Sequence, residues 1–592
     1  MEPVTASYKR LSEIYEADYR DLTRRTNGMS LLRLLTAILS LVCTYYYIQY
    51  KNLYLLAAAI TGAAIFLLLM KLQKNLSWKK TLKKHLVNIN RQEEDFVESG
   101  KLFAENGAEY IDPAHPYTAD LDIFGNRSLF QFLNRTTTYT GKTTLAQMLS
   151  ASLSANRIRE NQEAIAEAAH SLETRQELMA IGYIARDSKA TFEQLIRWTR
   201  EPGQKIHTAV IICCHILTAV LCLSVIAYIF SGNEVFSNIA SRVFPVNLIL
   251  FFTQVKKIRK ELFKGIKIDE VLKSYGLMLQ HIRAASYKSS RLQELQGTIR
   301  DTEAGRKIQQ LSKLYANLET MENPFAMVIM NGLYFFHIHQ LNKVSDWKHK
   351  YAADIEIWLQ VIGELEAINS LGNMYYNNPS FCFPELNDRY IIHFEELGHP
   401  LISAKQRITN SISFARHSFV ILTGSNMSGK STFLRTLGIN MVLAGTGAPV
   451  CAAKAAVHPL PVWVSMRQSD SLADNESYFF AEVKRLGSII KSLEQQPCFI
   501  LLDEILRGTN SDDKRNGTIS VIKNMIAKKA LGIIATHDLE VCLVQEQYPD
   551  ILVNKCFEVS IANNELKFDY RLRDGICKNK SATFLMQKMG II

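Results

Sequence analysis

The chain has 592 residues, of which 47% are hydrophobic and 21% charged, with 10 Cys and a formal net charge of +11. That length predicts three or four domains. The apolar content excludes a disordered or collagenous chain, and the cysteine spacing excludes a disulfide mini-protein and offers no metal-ligand set. A mean hydropathy of -0.02 points to strongly apolar segments diluted by polar ones. The positive charge points to an anionic partner, either nucleic acid or lipid headgroups. Cys213, Cys214 and Cys222 share one apolar run and read as reduced, buried thiols of a cytosol-facing protein.

Two uncharged runs, Leu34 to Tyr50 and Asn52 to Met70, are separated only by Lys51. About 20 apolar residues span a bilayer as a helix, so the pair predicts a transmembrane hairpin. A third run, Ile206 to Phe230, and a fourth, Val235 to Val255, predict a second hairpin. The fourth carries Arg242, Pro245 and Asn247, and its alternative is a buried amphipathic helix. Arg20, Arg24, Arg25 and Arg33 precede the first span, and Lys71, Lys74, Lys79, Lys80, Lys83 and Lys84 follow the second. Arg197, Arg200 and Lys205 precede the third, and Lys256, Lys257, Arg259, Lys260, Lys264 and Lys267 follow the fourth. Positive residues stay on the cytoplasmic side, so both termini and both large segments are expected there, in a multi-pass protein of a bacterial-type inner membrane. The two lysine-rich belts, less Glu261, match the whole-chain charge excess. Anionic lipid therefore explains that excess without nucleic acid.

These boundaries divide the chain into a cytoplasmic N-terminal segment (1–33), a first hairpin (34–70), a helical cytoplasmic segment (71–205), a second hairpin (206–255), a further helical segment (256–380) and an α/β domain (381–592). Phe325 to His337 is apolar but short, contains Asn331 and Gly332, and is expected to form a buried helix. From about residue 380, short β-rich runs alternate with helices, as in a nucleotide-binding α/β domain.

That domain holds a phosphate-site motif. Gly424, Ser425, Asn426, Met427, Ser428, Gly429, Lys430, Ser431 and Thr432 fit G-x-x-x-x-G-K-[ST], with an apolar β run before them and a helical pattern after. Backbone N–H groups of such a loop cradle phosphates, Lys430 reaches the β and γ phosphates, and the Ser431 hydroxyl ligates Mg²⁺. Gly141-Lys142-Thr143 is a decoy, because Thr136 stands where the first glycine is needed. Cys498 to Leu502 is an apolar strand ending in Asp503 and Glu504, a Walker B pattern. Asp503 is expected to hold Mg²⁺ through water and Glu504 to act as general base on the attacking water. A third strand, Leu531 to Thr536, ends at His537, which suits a γ-phosphate sensor; the plainer alternative is a structural histidine.

Together these motifs resemble the MutS ATPases of DNA mismatch repair, an ABC-type branch. The resemblance runs from Gly398, His399 and Pro400 through Thr423 to Thr432, Asn475 to Glu482 around Ser477, Asp503 to Thr509, and Ala535 to His537. Leu121 to Gly125, Ser128 to Phe130 and Thr136 to Thr138 resemble the start of that family's helical core, and Glu364 to Pro384 its end. The fold implied is a P-loop α/β ATPase domain of ABC/MutS type preceded by an all-α core, with about four transmembrane helices in two hairpins and the core split around the second. The resemblance also implies ATP and Mg²⁺ as cofactors and a homodimer in which Ser477 completes the partner's γ-phosphate site. Asn410 is expected near the nucleotide, and Arg407 stands where relatives stack an aromatic on adenine. Leu506 replaces the usual glycine after Glu504 and Ile505. Nothing upstream of the core resembles the mismatch-reading domain, so that domain is expected to be missing from this membrane-anchored member.

Two functions follow. In the first, a membrane-anchored ATPase binds DNA and hydrolyses ATP at a dimer interface, in a mismatch-repair-like transaction. In the second, with no DNA ligand, ATP drives a membrane conformational switch or remodelling ATPase. Membrane lipid is a partner in both.

Overall fold

A computed structural model describes residues 4–185, 187–263, 267–415, 417–425, 427–466, 478–562 and 565–577. Asn426, Ser477 and the Ser581 to Gly590 segment lie outside them.

The N-terminal runs belong to helices much longer than a bilayer needs. Helix α1 (Val4–Tyr50) and helix α2 (Leu53–Ser99) each have 47 residues, or about 70 Å at 1.5 Å per residue. No proline interrupts either. Between them Lys51 adopts a left-handed φ of 54°, and Asn52 caps α2 by accepting the Tyr54 N–H at 2.9 Å. The uncharged halves of both helices are largely bare, with Leu39, Leu41, Leu53 and Leu67 exposed and only Ala59 and Leu69 among their described residues buried. The other halves pack on protein: Leu11 and Tyr15 of α1 meet Leu86, Val87 and Ile89 of α2 in one buried cluster. No break falls at 33/34 or 70/71.

Residues 101–128 are largely irregular, within the segment 71–205 expected to be helical. Gly100, Gly107 and Gly125 take positive φ, and Pro113 and Pro116 remove backbone donors. Helices then follow in quick succession: α3 (Leu129–Leu133), α4 (Tyr139–Ser150), α5 (Ala155–His170), α6 (Leu172–Ala185) and α7 (Lys189–Arg200). Met179 and Ala180 of α6 join the α1/α2 cluster. Helices α8 (Thr208–Ser231) and α9 (Glu234–Glu261) form the second apolar hairpin, turned by Gly232 and Asn233. Helices α1, α2, α8 and α9 are long and apolar enough to cross a membrane. None of the ten cysteines is in a disulfide, but Cys213 and Cys222 lie exposed on α8 rather than buried as the composition suggests.

The chain then returns to the core through α10 (Ile268–Ala284), α11 (Ser290–Asp301), α12 (Ala304–Glu319), α13 (Pro324–Tyr334), α14 (Phe336–Tyr351) and α15 (Asp354–Asn377). Helix α15 packs against α4 and α5, so the two halves of the core close around the α8–α9 hairpin. One buried carboxylate marks the junction. Glu366 of α15 accepts the backbone N–H of Thr137 at 2.9 Å and of Thr138 at 3.2 Å, together with both hydroxyls. The decoy Gly141 sits in the first turn of α4 against this carboxylate, so it has a packing role. Helix α13 departs from the sequence expectation. Only Asn331 and Gly332 are buried in it, and Phe325, Ile329, Leu333 and Tyr334 are exposed.

The α/β part begins directly after α15. A small sheet, ordered β1-β5-β2-β3, joins β1 (Glu385–Leu386), β2 (His393–Leu397), β3 (Asn410–Ser413) and β5 (Lys454–Val457). The main sheet has six strands in the order β10-β9-β4-β8-β7-β6. Its members are β4 (Phe419–Gly424), β6 (Val462–Ser465), β7 (Phe499–Asp503), β8 (Leu531–Thr536), β9 (Leu552–Ala562) and β10 (Glu565–Asp574). All pair in parallel except β10, which is antiparallel to β9. Strands β4, β7 and β8 are buried along their whole length, as their continuous apolar sequences require. Helices α16 (Lys430–Thr446), α17 (Tyr478–Gln495) and α18 (Ser511–Ala527) complete the domain.

A strap from the core, residues 115–122, runs across this domain. The Asp120 carbonyl accepts Arg435 Nε of α16 at 3.2 Å, and its carboxylate accepts the Met466 N–H at 2.9 Å. Arg485 of α17 donates to the carbonyls of His115 and Pro116 at 2.8 and 2.6 Å. Leu121 fills the space that a side chain at Gly438 would take.

Candidate functional site

The C-terminal ends of β4, β7 and β8 open on one crevice, the usual ligand position in an open parallel sheet. The loop after β4 turns tightly there. A Cβ on Gly424 would sit 3.0 Å from the Phe557 carbonyl, and Met427 and Gly429 take left-handed φ of 68° and 101°. Gly429 is thereby the N-cap of α16, and its N-terminal amides face the crevice. A cavity of about 640 Å³ is lined by Ser425, Met427, Ser428, Gly429, Lys430, Ser431 and Thr432, with Glu504 and Arg507 opposite.

Lys430 is buried and donates to the carbonyls of Gly424 and Ser425 at 2.7 and 3.1 Å. Burial pushes its ammonium below the usual lysine range, partly offset by Glu504 and Asp503. Ser431 Oγ donates to Asp503 Oδ2 at 2.5 Å, so the two oxygens assigned to Mg²⁺ lie together. Burial raises the Asp503 carboxyl, with the Ser431 hydrogen bond opposing. Among the described residues, Ser425 Oγ and Ser428 Oγ are buried without a hydrogen-bond partner, as donors awaiting an anion are. The donor set therefore fits a magnesium-bound phosphate chain: hard oxygens, a buried ammonium and unpaired hydroxyls.

Glu504 lies just beyond β7 with φ 48°, a strained value for a side-chain-bearing residue. Its carboxylate faces two cations and an imidazole: Arg507 Nη2 at 3.3 Å, Lys430 Nζ at 4.0 Å and His537 Nδ1 at 3.5 Å. The sequence-predicted base, sensor and phosphate lysine therefore meet. Asn410 lines the cavity but also ties β3 to β10, donating to the Tyr570 carbonyl at 3.0 Å and accepting the Leu572 N–H at 2.7 Å. Arg407 is not brought to the cavity wall. Its guanidinium donates to the Ile402 carbonyl at 3.1 and 2.7 Å and lies over the Phe381 ring.

Three features escape sequence reasoning. Ile402 and Ile408 line the cavity where Arg407 was expected. Tyr570 reaches the phosphate loop from an irregularity in β10, where φ is 55° and the register with β9 shifts; a lone tyrosine in an alternating strand carries no signal for that. Glu482 of α17 accepts the N–H groups of Leu506 and Arg507 at 2.8 and 3.3 Å. Its place in the Ser477 motif was visible, but this contact was not.

The family model described as MutS domain V matches residues 420–590. Residues 420–590 are thus similar to a MutS domain V. The chain is 30% identical over 256 residues to human MutS protein homolog 4, covering 41% of this chain and 25% of that protein. It is 28% identical over 239 residues to the DNA mismatch repair protein MutS of Persephonella marina, covering 39% of this chain and 27% of the relative. The DNA mismatch repair protein MSH4 of Arabidopsis thaliana is 28% identical over 214 residues, with 35% and 27% covered. The chain thus spans about a quarter of the length of these relatives.

Proposed function

We propose that this chain is a membrane-anchored MutS-family ATPase that binds Mg²⁺-ATP in the cavity above β4 and hydrolyses it at a homodimer interface, in the service of a DNA transaction. The observation that carries the reading is the meeting of Lys430, Ser431, Asp503, Glu504 and His537 around unpaired loop hydroxyls. The loop amides and Lys430 would bind the β and γ phosphates. Ser431 and Asp503 would hold Mg²⁺, which neutralises phosphate charge. Glu504 would take a proton from the attacking water, and His537 would donate to a γ-phosphate oxygen. An arriving γ-phosphate competes with Glu504 for Lys430 and His537, so binding releases the base. Ile402 and Ile408 offer an apolar wall for the base, a role earlier given to Arg407. Ser477 remains the candidate for completing the partner's site.

Lys430→Ala should abolish ATP binding. Glu504→Ala should still bind ATP while turnover falls about 10²–10⁴-fold, the usual worth of a positioned base. Normal turnover in Glu504→Ala would reject the base assignment.

DNA enters through the relatives named for mismatch repair. A second reading, an ATP-driven membrane switch without DNA, is favoured by the direct run of α15 into the α/β domain and its buried contacts with α2. Glu93 of α2 accepts Asn373 Nδ2 at 2.9 Å and Asn377 Nδ2 at 3.2 Å, and pairs with buried Arg135. ATPase rate of the solubilised full chain, with duplex, mismatched and branched DNA across a salt series, separates the two. Stimulation that fades with salt supports DNA. Intact basal hydrolysis without any DNA response supports the switch.

A further inference from the structure

Helix α13 is apolar, and Met327 packs against the core, yet a stripe of its large apolar side chains stands clear of it. Phe325, Ile329 and Leu333, one per helical turn, are 81%, 54% and 50% exposed. Eleven residues make about 16 Å of helix, half of a hydrocarbon core. The inner face of α13 is fastened to α9. Asn247 Nδ2 donates to the Gly332 carbonyl at 2.7 Å, and Phe244 occupies the space beside Gly332. These contacts fall near the middle of the apolar run Val235 to Val255.

The chain reverses at that level. Phe335, wholly buried at φ 50°, ends α13 and starts α14. Helix α14 then runs beside α9 toward its basic end, with the His337 ring near Phe251 and Lys348 Nζ 3.7 Å from Glu261. The reversal leaves few backbone polar groups open. The Phe335 N–H donates to the Asn331 carbonyl at 3.1 Å, and the His337 N–H to Asn331 Oδ1 at 3.0 Å. Asn331 Nδ2 and His337 Nδ1 lie 2.7 Å apart, and Thr320 Oγ1 lies 3.0 Å from His337 Nε2. A solvent-facing turn needs no such internal partners. Non-helical backbone at membrane depth does, and is tolerated only when buried in protein or lining a water-filled cavity. At the other end, Asn323 caps α13 behind Glu319 and Glu322, a polar entry.

We propose that α13 and the start of α14 form a re-entrant helical hairpin, which dips to mid-bilayer against α9, presents Phe325, Ile329 and Leu333 to lipid acyl chains, and returns to the side it entered from. This rests on the reading that α8 and α9 span the membrane. The occupant is lipid because the bare stripe continues the exposed apolar face of that hairpin, where Ile212, Ile216 and Leu223 are equally bare.

The test is photo-crosslinking of the full chain in lipid nanodiscs. A benzophenone amino acid replaces Phe325, Ile329 or Leu333 one at a time, with Leu223 of α8 as the spanning control and exposed Ile357 of α15 as the solvent control. The expected result is acyl-chain adducts at Leu223, Ile329 and Leu333, adducts nearer the glycerol at Phe325, and none at Ile357. Adducts at Leu223 with only protein crosslinks or none on α13 would overturn the re-entrant hairpin and leave the spans standing. No lipid adduct at Leu223 would overturn the spanning reading and this inference with it. Lysine variants give a second readout. Leu333→Lys should reduce the yield of folded membrane-inserted protein, whereas Ile357→Lys should not; equal tolerance of both would count against lipid at Leu333.

Discussion

Glu482 never touches the cavity, yet it holds two amides of the strained turn that carries Glu504. Leaving buried donors unpaired costs about 1–3 kcal/mol, and here that cost falls on the geometry of the base. Glu482→Ala should lower kcat with little change in the KM for ATP, and Glu482→Gln, which keeps an acceptor, should recover much of the loss. Steady-state kinetics of the two variants checks this; a KM effect alone would place Glu482 in binding. His399 offers a different readout. Burial, with Arg435 and Arg407 nearby, pushes its imidazole down to about 4 from the ordinary 6.5. Between those values the unfolded chain binds a proton that the folded one refuses, so this contribution is intact above about pH 6.5 and is lost as pH falls toward about 4. His399→Asn should flatten the acid side of the Tm-against-pH profile.

At the scale of elements, Glu366 joins halves of the core that lie more than 200 residues apart in sequence. Burial raises its carboxyl, and the Thr137 and Thr138 hydrogen bonds oppose the rise. Glu366→Ala removes the acceptor for two amides and two hydroxyls, and should cost about 3 kcal/mol by the usual cost of buried unpaired donors, read as a lower Tm in detergent. The elements differed in how legible they were. The phosphate loop, the strand before Asp503 and the strand before His537 could be read because their chemistry imposes local patterns. The four apolar helices could be read from length and composition. The 47-residue continuity of α1 and α2 could not, because the polar halves of the helices resemble a separate segment. Helix α13 misled for the opposite reason. Apolar residues usually mark a core, and only the tertiary partners of Asn331 and Gly332 reveal which way they face. Arg407 misled because alignment to a motif gives a position in the chain, not the direction of a side chain.

At the scale of the molecule, α4 and α5 touch the phosphate helix α16, with Asn161 donating to the Thr446 carbonyl at 3.0 Å, and two further connections link the α/β domain to the rest. One is the 115–122 strap, which touches both α16 and α17 and so contacts the phosphate helix and the element following Ser477. The other is α15, continuous in chain with β1 and locked to α2 through Glu93. The strap lay in a segment read from sequence as core alone; its contacts with Met466 and Arg485 depend on packing that no local pattern reports.

Helix α2 is a rod with one end held in this polar clasp and the other bare. A rod of about 70 Å tilted by roughly 5° at its base sweeps its tip through about 6 Å. Displacements too small to disturb the core would therefore be magnified at the far tip, where Asn52 turns the chain. The length of the helix beyond what a bilayer requires acts as gearing: it trades force at the clasp for travel at the tip.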